Sequence, residues 1–171
     1  MNGFGLLNAV LSIALAVFIF GSVYFIKTDS KNKTLEQATP EFVSTKFSQT
    51  NLRTGPSLDY PIIYTYNQRH MPLKIIDTFT EWYQIEDIYG QKGWVYKNLV
   101  IVQKHAIVID ESSVYFSKNR SRTLAIIKPF NIVKILECSN DNICQIEFYV
   151  DQYNLNYKGY IVKSNLWGDT E

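Results

Sequence analysis

Only two histidines and two cysteines occur in the 171-residue chain, and each scarcity removes a class of chemistry. Two sulfurs make half of a tetrahedral zinc site, and neither His70 nor His105 is spaced to complete it. No glycine-rich phosphate loop, no His-Glu-x-x-His and no Gly-x-Ser-x-Gly is present. The carboxylate pairs Glu86 with Asp87 and Asp110 with Glu111 are adjacent in sequence, so on strands their side chains point to opposite faces. The chain therefore reads as a non-enzyme, with no catalytic residue, metal or cofactor expected. His70 falls in an expected turn and His105 between two repeats, where both read as plain surface residues. Charge is lacking too. With 17 Lys+Arg against 16 Asp+Glu and a net charge of +1, no global field draws the protein onto nucleic acid.

The charges that exist are unevenly spread. None occurs before Lys27, and residues 3–26 form the run GFGLLNAVLSIALAVFIFGSVYFI. As a helix this run is roughly 36 Å long at 1.5 Å per residue, enough to span a membrane with some tilt. A cleaved signal needs a basic start, a shorter apolar core and a small-residue site just after it. Here Ala14 and Ala16 sit in mid-run, which favours an uncleaved anchor over residues 1–27 against a signal peptide. Residues 28–41, ending TPE, are polar and aperiodic and read as a tether.

From Phe42 onward short apolar runs alternate with turn residues every 8 to 12 positions. An aromatic content of 15% with twelve tyrosines fits the same reading. The pattern is that of an all-β chain built as small barrels. The runs also repeat: LKII at 73–76 matches VKIL at 133–136, WYQIE at 82–86 matches ICQIE at 143–147, and GWV at 93–95 matches GYI at 159–161. Asn98 and Leu99 are matched to Asn165 and Leu166. The expected organisation is two tandem copies of a five-stranded unit, residues 42–102 and 103–171.

The order Asn-Leu-Arg-x-Gly-Pro-Ser, Trp-Tyr-x-Ile, a glycine turn, then Gly-Trp-Val ending in Asn-Leu resembles the bacterial SH3-like (SH3b) domains over residues 42–102. More narrowly, it is similar to a tandem SH3b group found in α-proteobacterial envelope proteins. The resemblance implies two SH3-like barrels and a binding role toward a short peptide or a peptidoglycan fragment. The second copy departs from the motif, with Phe116-Ser117-Lys118-Asn119 where the first has Arg53-Thr54-Gly55-Pro56.

Strand alternation gives a physical reading beside this. If Ile85 and Val95 face the core, Trp82 and Trp94 face outward. Two indoles near Arg53, Asp59 and Tyr60 would then make an aromatic ligand-binding groove. The alternative keeps both tryptophans as partly buried lids, Gly55-Pro56 as a plain turn, and Arg53 in a solvated pair with Asp59. A second functional reading is a structural protein that docks an envelope partner. GWVYKNLV resembles the last-strand Gly-x-x-Pro-x-Asn motif of eukaryotic SH3 domains, but Tyr96, and Val162 in the second copy, stand at its proline, which disfavours polyproline binding of their kind.

ECSNDNICQ places Cys138 and Cys144 on facing arms of a hairpin, in reach of a disulfide; two reduced core thiols are the alternative. The spacing is not the thioredoxin-like Cys-x-x-Cys, which leaves a thiol-dependent redox module only as a third, weaker reading. A disulfide implies an oxidising compartment, whereas Lys27, Lys31 and Lys33 after the apolar run would keep that side cytoplasmic. Weighing the disulfide more heavily puts the barrels in the periplasm, on a single-pass inner-membrane anchor.

Overall fold

The computed structural model describes residues 41–170, all within one compact unit, Pro40–Glu171. The apolar run at 1–27 and all but the last residue of the tether lie outside the described residues. Among the described residues no helix is long and apolar enough to cross a membrane.

Among the described residues every regular element longer than a single helical turn is a strand. The first seven are β1 (Phe42–Thr45), β2 (Thr50–Arg53), β3 (Ile62–Tyr66), β4 (Pro72–Phe79), β5 (Trp82–Glu86), β6 (Lys92–Tyr96) and β7 (Val100–Ile101). They form one antiparallel sheet in the order β3-β2-β6-β5-β4-β1-β7. The next seven are β8 (His105–Val108), β9 (Ser112–Tyr115), β10 (Thr123–Ile127), β11 (Ile132–Ser139), β12 (Ile143–Val150), β13 (Leu155–Val162) and β14 (Leu166–Gly168). Their order is β10-β9-β13-β12-β11-β8-β14, the first order shifted by seven. Each unit thus has seven short strands where the sequence suggested five.

Each sheet curls around its own core. Tyr66 on the edge strand β3 and Val100 on the opposite edge strand β7 belong to one buried cluster, with Leu52, Leu73, Ile85 and Val95 between them. A flat sheet cannot bring its two edges to one core, so the first sheet curls round until both face it, with β3 and β7 as its two edges. Ile127 of β10 and Leu166 of β14 meet in the second cluster in the same way. Full burial of one such aliphatic side chain contributes roughly 1.5 to 3 kcal/mol. Bending is helped by matching β-bulges, between Ile75 and Asp77 on β4 and between Ile135 and Glu137 on β11.

The two glycines of the repeated motif have one steric cause. A Cβ on Gly93 would stand 2.7 Å from the Leu52 side chain and 2.8 Å from the Arg53 carbonyl oxygen. A Cβ on Gly159 would stand 2.4 Å from Val114 and 3.0 Å from the Tyr115 carbonyl oxygen. At these points β2 crosses β6, and β9 crosses β13, too closely for any side chain.

The pairings correct two of the sequence matches by one residue. Arg53 lies opposite Trp94 and Tyr115 lies opposite Tyr160, so Tyr115, not Phe116, stands in the place of Arg53. Val100 pairs with Thr45 and Leu166 with Val108, so Leu166 replaces Val100 rather than Leu99. Recurrence of the letters Asn-Leu had hidden that the second copy carries no insertion there.

The two barrels meet. Phe42 of β1 stands edge-on to Trp167 of β14, with ring centroids 5.4 Å apart. Ser44 Oγ donates to the Gln103 carbonyl at 2.8 Å, and His105 Nδ1 lies 3.0 Å from the same Oγ. His105 is only 3% exposed, and its ring stacks on that of His70 at 4.4 Å and 6°. The expectation of two plain surface histidines is overturned. The connector is so short that His105 opens β8 and is tucked against β1.

Candidate functional site

The candidate surface is built where β2 crosses β6. Gly93 draws the strands together, and the next residue on β6, Trp94, is thereby set beside Arg53. Across β5 the neighbour of Trp94 is Gln84, and that of Tyr96 is Trp82. Arg53, Trp94, Gln84, Tyr96 and Trp82 therefore share the face turned away from Val95 and Ile85, as alternation requires.

Facing away from the core does not leave all of them open. Trp94 is half-buried, but Trp82 is only 7% exposed and leans on Tyr96 with ring centroids 5.3 Å apart. The expectation of two outward indoles holds for direction and fails for access at Trp82. A large ring on a short strand is covered by its cross-strand partner, so Tyr96 acts as the lid beneath which Trp82 is held.

Between β2 and β3 the chain makes a self-bonded loop. Arg53 Nη1 donates to the carbonyl oxygens of Leu58 at 3.0 Å and Tyr60 at 2.6 Å. The Thr54 amide donates to the Pro61 carbonyl at 3.1 Å. Tyr60 lies over Gly55, where a Cβ would come within 2.7 Å of the ring. Asp59 does not pair with Arg53. Its carboxylate accepts from Ser57 Oγ at 3.0 Å, and its amide donates back to the same hydroxyl at 3.2 Å. The guanidinium thus staples the loop from one nitrogen, because it has five donors and the carbonyls lie nearer than the acid.

The loop and the edge strand after it carry an apolar strip. Leu58, Tyr60, Ile62, Ile63 and Tyr64 are all exposed, Leu58 by 71%. Of the five residues expected from the sequence, Arg53, Tyr60 and Trp94 come together around this strip. Asp59 sits at the tip of the loop, and Trp82 is covered.

A further acid was missed. Asp87 is buried beneath the β5–β6 turn, where its Oδ1 accepts from the Tyr89 and Gln91 amides at 2.9 and 3.0 Å. Its Oδ2 accepts from the Tyr66 hydroxyl at 3.1 Å. Burial, with the carboxylate second, pushes the Tyr66 phenol well above its usual pKa. The signal was legible: an Asp three residues before Gly90 (φ 78°) marks a side-chain-capped turn.

Residues 46–101 match the family model for the bacterial SH3 domain. The match runs from just after β1 through the end of β7, so it contains the crossing, the stapled loop and the exposed strip. It supports the SH3b family for the first barrel. No curated protein matches the chain significantly. Among solved structures, NlpC2 from Trichomonas vaginalis is similar at 15% identity and a TM-score of 0.33, over 75% of this chain and 48% of that one. NlpC1 from the same organism is similar at 16% identity and a TM-score of 0.33, over 75% and 45%. The chain spans less than half the length of either.

The second barrel carries the disulfide. Cys138 on β11 and Cys144 on β12 are directly opposite and bonded, with Cys144 fully buried in the core. Among the described residues no three His, Cys, Asp or Glu side chains gather as a metal site.

Proposed function

We propose that this chain is a non-enzymatic, membrane-anchored binding module of the cell envelope, which takes a short peptide or cell-wall glycopeptide on its first SH3-like barrel. The observation that carries this reading is the set of exposed apolar side chains between Leu58 and Tyr64, next to Arg53 and its cross-strand neighbour Trp94, within the segment that matches the bacterial SH3 domain. Flat rings take the apolar faces of sugars or side chains. An edge strand offers backbone groups to an extended peptide. The shared strand order of the two sheets supports the tandem arrangement.

The anchor rests on the charge-free run at residues 3–26, and the compartment on the disulfide. On this reading the barrels stand in the periplasm on a single inner-membrane span. A thiol-reactive probe should leave Cys138 and Cys144 unlabelled in intact cells; labelling without prior reduction would remove the case for that side.

The binding role is tested by cosedimentation of the full chain, in mild detergent, with purified peptidoglycan. Trp94→Ala is expected to weaken binding about tenfold, the cost of losing one central aromatic anchor. Unchanged binding in that variant, or none in the parent, overturns the reading. A docking role toward an envelope protein is the second reading, favoured by the exposed edge of β3. It predicts cross-links from Ile63 to one protein and none to peptidoglycan.

A further inference from the structure

A second candidate site lies away from the first-barrel surface and does not depend on it. Between the barrels is an open cleft of about 490 Å³, to which both contribute. Arg69 and His70 line it from the turn between β3 and β4, His105 from the start of β8, and Lys134 from β11. The side chains of Arg69 and Lys134 have no ion-pair or hydrogen-bond partner among the described residues. Glu147 on β12 is the acid in this lining, and its strand position faces that of Lys134. With both imidazoles neutral, two cations against one acid leave a single net positive charge.

The histidines are arranged to respond to an anion. Ser44 Oγ gives its proton to the Gln103 carbonyl, so it accepts from His105 Nδ1, which must carry the hydrogen. The other ring nitrogen, Nε2, then has no partner among the described residues. Burial, then the neighbouring His70, pushes His105 down to about 4, and Lys134 acts in the same direction. His70 is lowered by its own burial, then by Arg69 and Lys134. Unpaired like charges in a part-enclosed space are unfavourable, and the most direct relief is a bound anion.

We propose that this cleft binds the free carboxylate of a short peptide, gripped by Arg69 and Lys134 and backed by the His70 and His105 imidazoles. The single excess charge suits a carboxylate better than a doubly charged phosphate, which Glu147 would also repel. The side-chain amides of Gln68, Gln103 and Asn156 in the same lining suit a peptide backbone. A fork-shaped guanidinium matches the two oxygens of a carboxylate. Because each site is built from different residues, the two can be occupied together.

The test is NMR of the histidine ring signals in the full chain, in detergent micelles, titrated with Ala-Ala-Ala, its C-terminal amide, and inorganic phosphate. Ala-Ala-Ala should shift both histidines in a saturable way, more tightly at pH 5.5 than at pH 7.5, because the carboxylate and imidazolium stabilise one another. The amide should bind at least tenfold more weakly. Arg69→Gln combined with Lys134→Gln should abolish the shifts, while Trp94→Ala should leave them unchanged. Equal binding of the amide, no shift with either peptide, or phosphate binding as tightly as Ala-Ala-Ala would each overturn the proposal. Loss of peptidoglycan binding in Trp94→Ala with intact histidine shifts would separate this site from the first-barrel surface.

Discussion

The two barrels share a frame and differ in almost everything set upon it. Strand order, the bulge after Ile75 or Ile135 and the crossing glycine are the same. At the crossing, however, Arg53 with Trp94 becomes Tyr115 with Tyr160. Beneath the β5–β6 turn the contrast is sharper. By strand pairing Ile127 occupies the place of Tyr66, and Phe148 that of Asp87. A hydrogen-bonded phenol and carboxylate in one barrel is an apolar pair in the other's core. The second barrel instead has a disulfide across its β11–β12 hairpin and longer arms on β12 and β13. The fold therefore requires bends and close crossings, while the means of securing each turn are interchangeable.

The largest expected effect lies where the barrels join. His105 in the folded chain titrates near 4, against 6.5 for a free imidazole. The unfolded chain takes up the proton first, so stability is full above about pH 6.5 and declines as pH falls toward 4. The loss from this residue is roughly 3 kcal/mol between pH 7 and 4. His105→Gln should flatten that part of the profile in denaturant melts; an unchanged slope would show that the stacked pair does not couple the barrels to pH.

Next comes the feature found only in the second barrel. Cys138→Ser with Cys144→Ser should cost roughly 2 kcal/mol from loop entropy, and the loss should appear in hydrogen exchange of β11 and β12. Exchange in β4 and β5 should stay the same. Equal loosening of both barrels would mean that they unfold as one unit.

The smallest effect belongs to the first barrel alone. Tyr66→Phe removes the donor to Asp87 Oδ2 but leaves two amides on Oδ1, so about 1 kcal/mol should be lost. The transplant Tyr66→Ile with Asp87→Phe tests whether the apolar solution of the second barrel works in the first. Recovery to within 1 kcal/mol of the parent would support interchangeable turns; unfolding would refute it.

Much of this frame was legible in the sequence because alternation and turn spacing are local. The faces of Trp82, Trp94, Ile85 and Val95 follow from the pleat, and Cys138 was correctly set across from Cys144. Access was not legible, since the covering of Trp82 depends on Tyr96 arriving from another strand. Charge alone offers Asp59 as an alternative partner for Arg53, yet carbonyls of its own loop lie closer. The junction was hidden for a similar reason: His70 and His105 are 35 positions apart, and only the curl of two sheets stacks them. The one-residue slip at Leu166 arose because the letters Asn-Leu recur where strand pairing sets the register.

At Gly93 the close contacts are with the core side chain of Leu52 and the backbone of Arg53, not with the Arg53 side chain. Whatever residue occupies position 53, the strands still cross at the same height. Such a crossing works like the fixed jaw of a tool holder, gripping the shank and leaving the bit free to change. Within this one chain the same grip already holds two different bits, an arginine with an indole and a pair of tyrosines. The barrel can therefore acquire a new specificity by altering outward side chains and the loop between β2 and β3, with no repacking of the core.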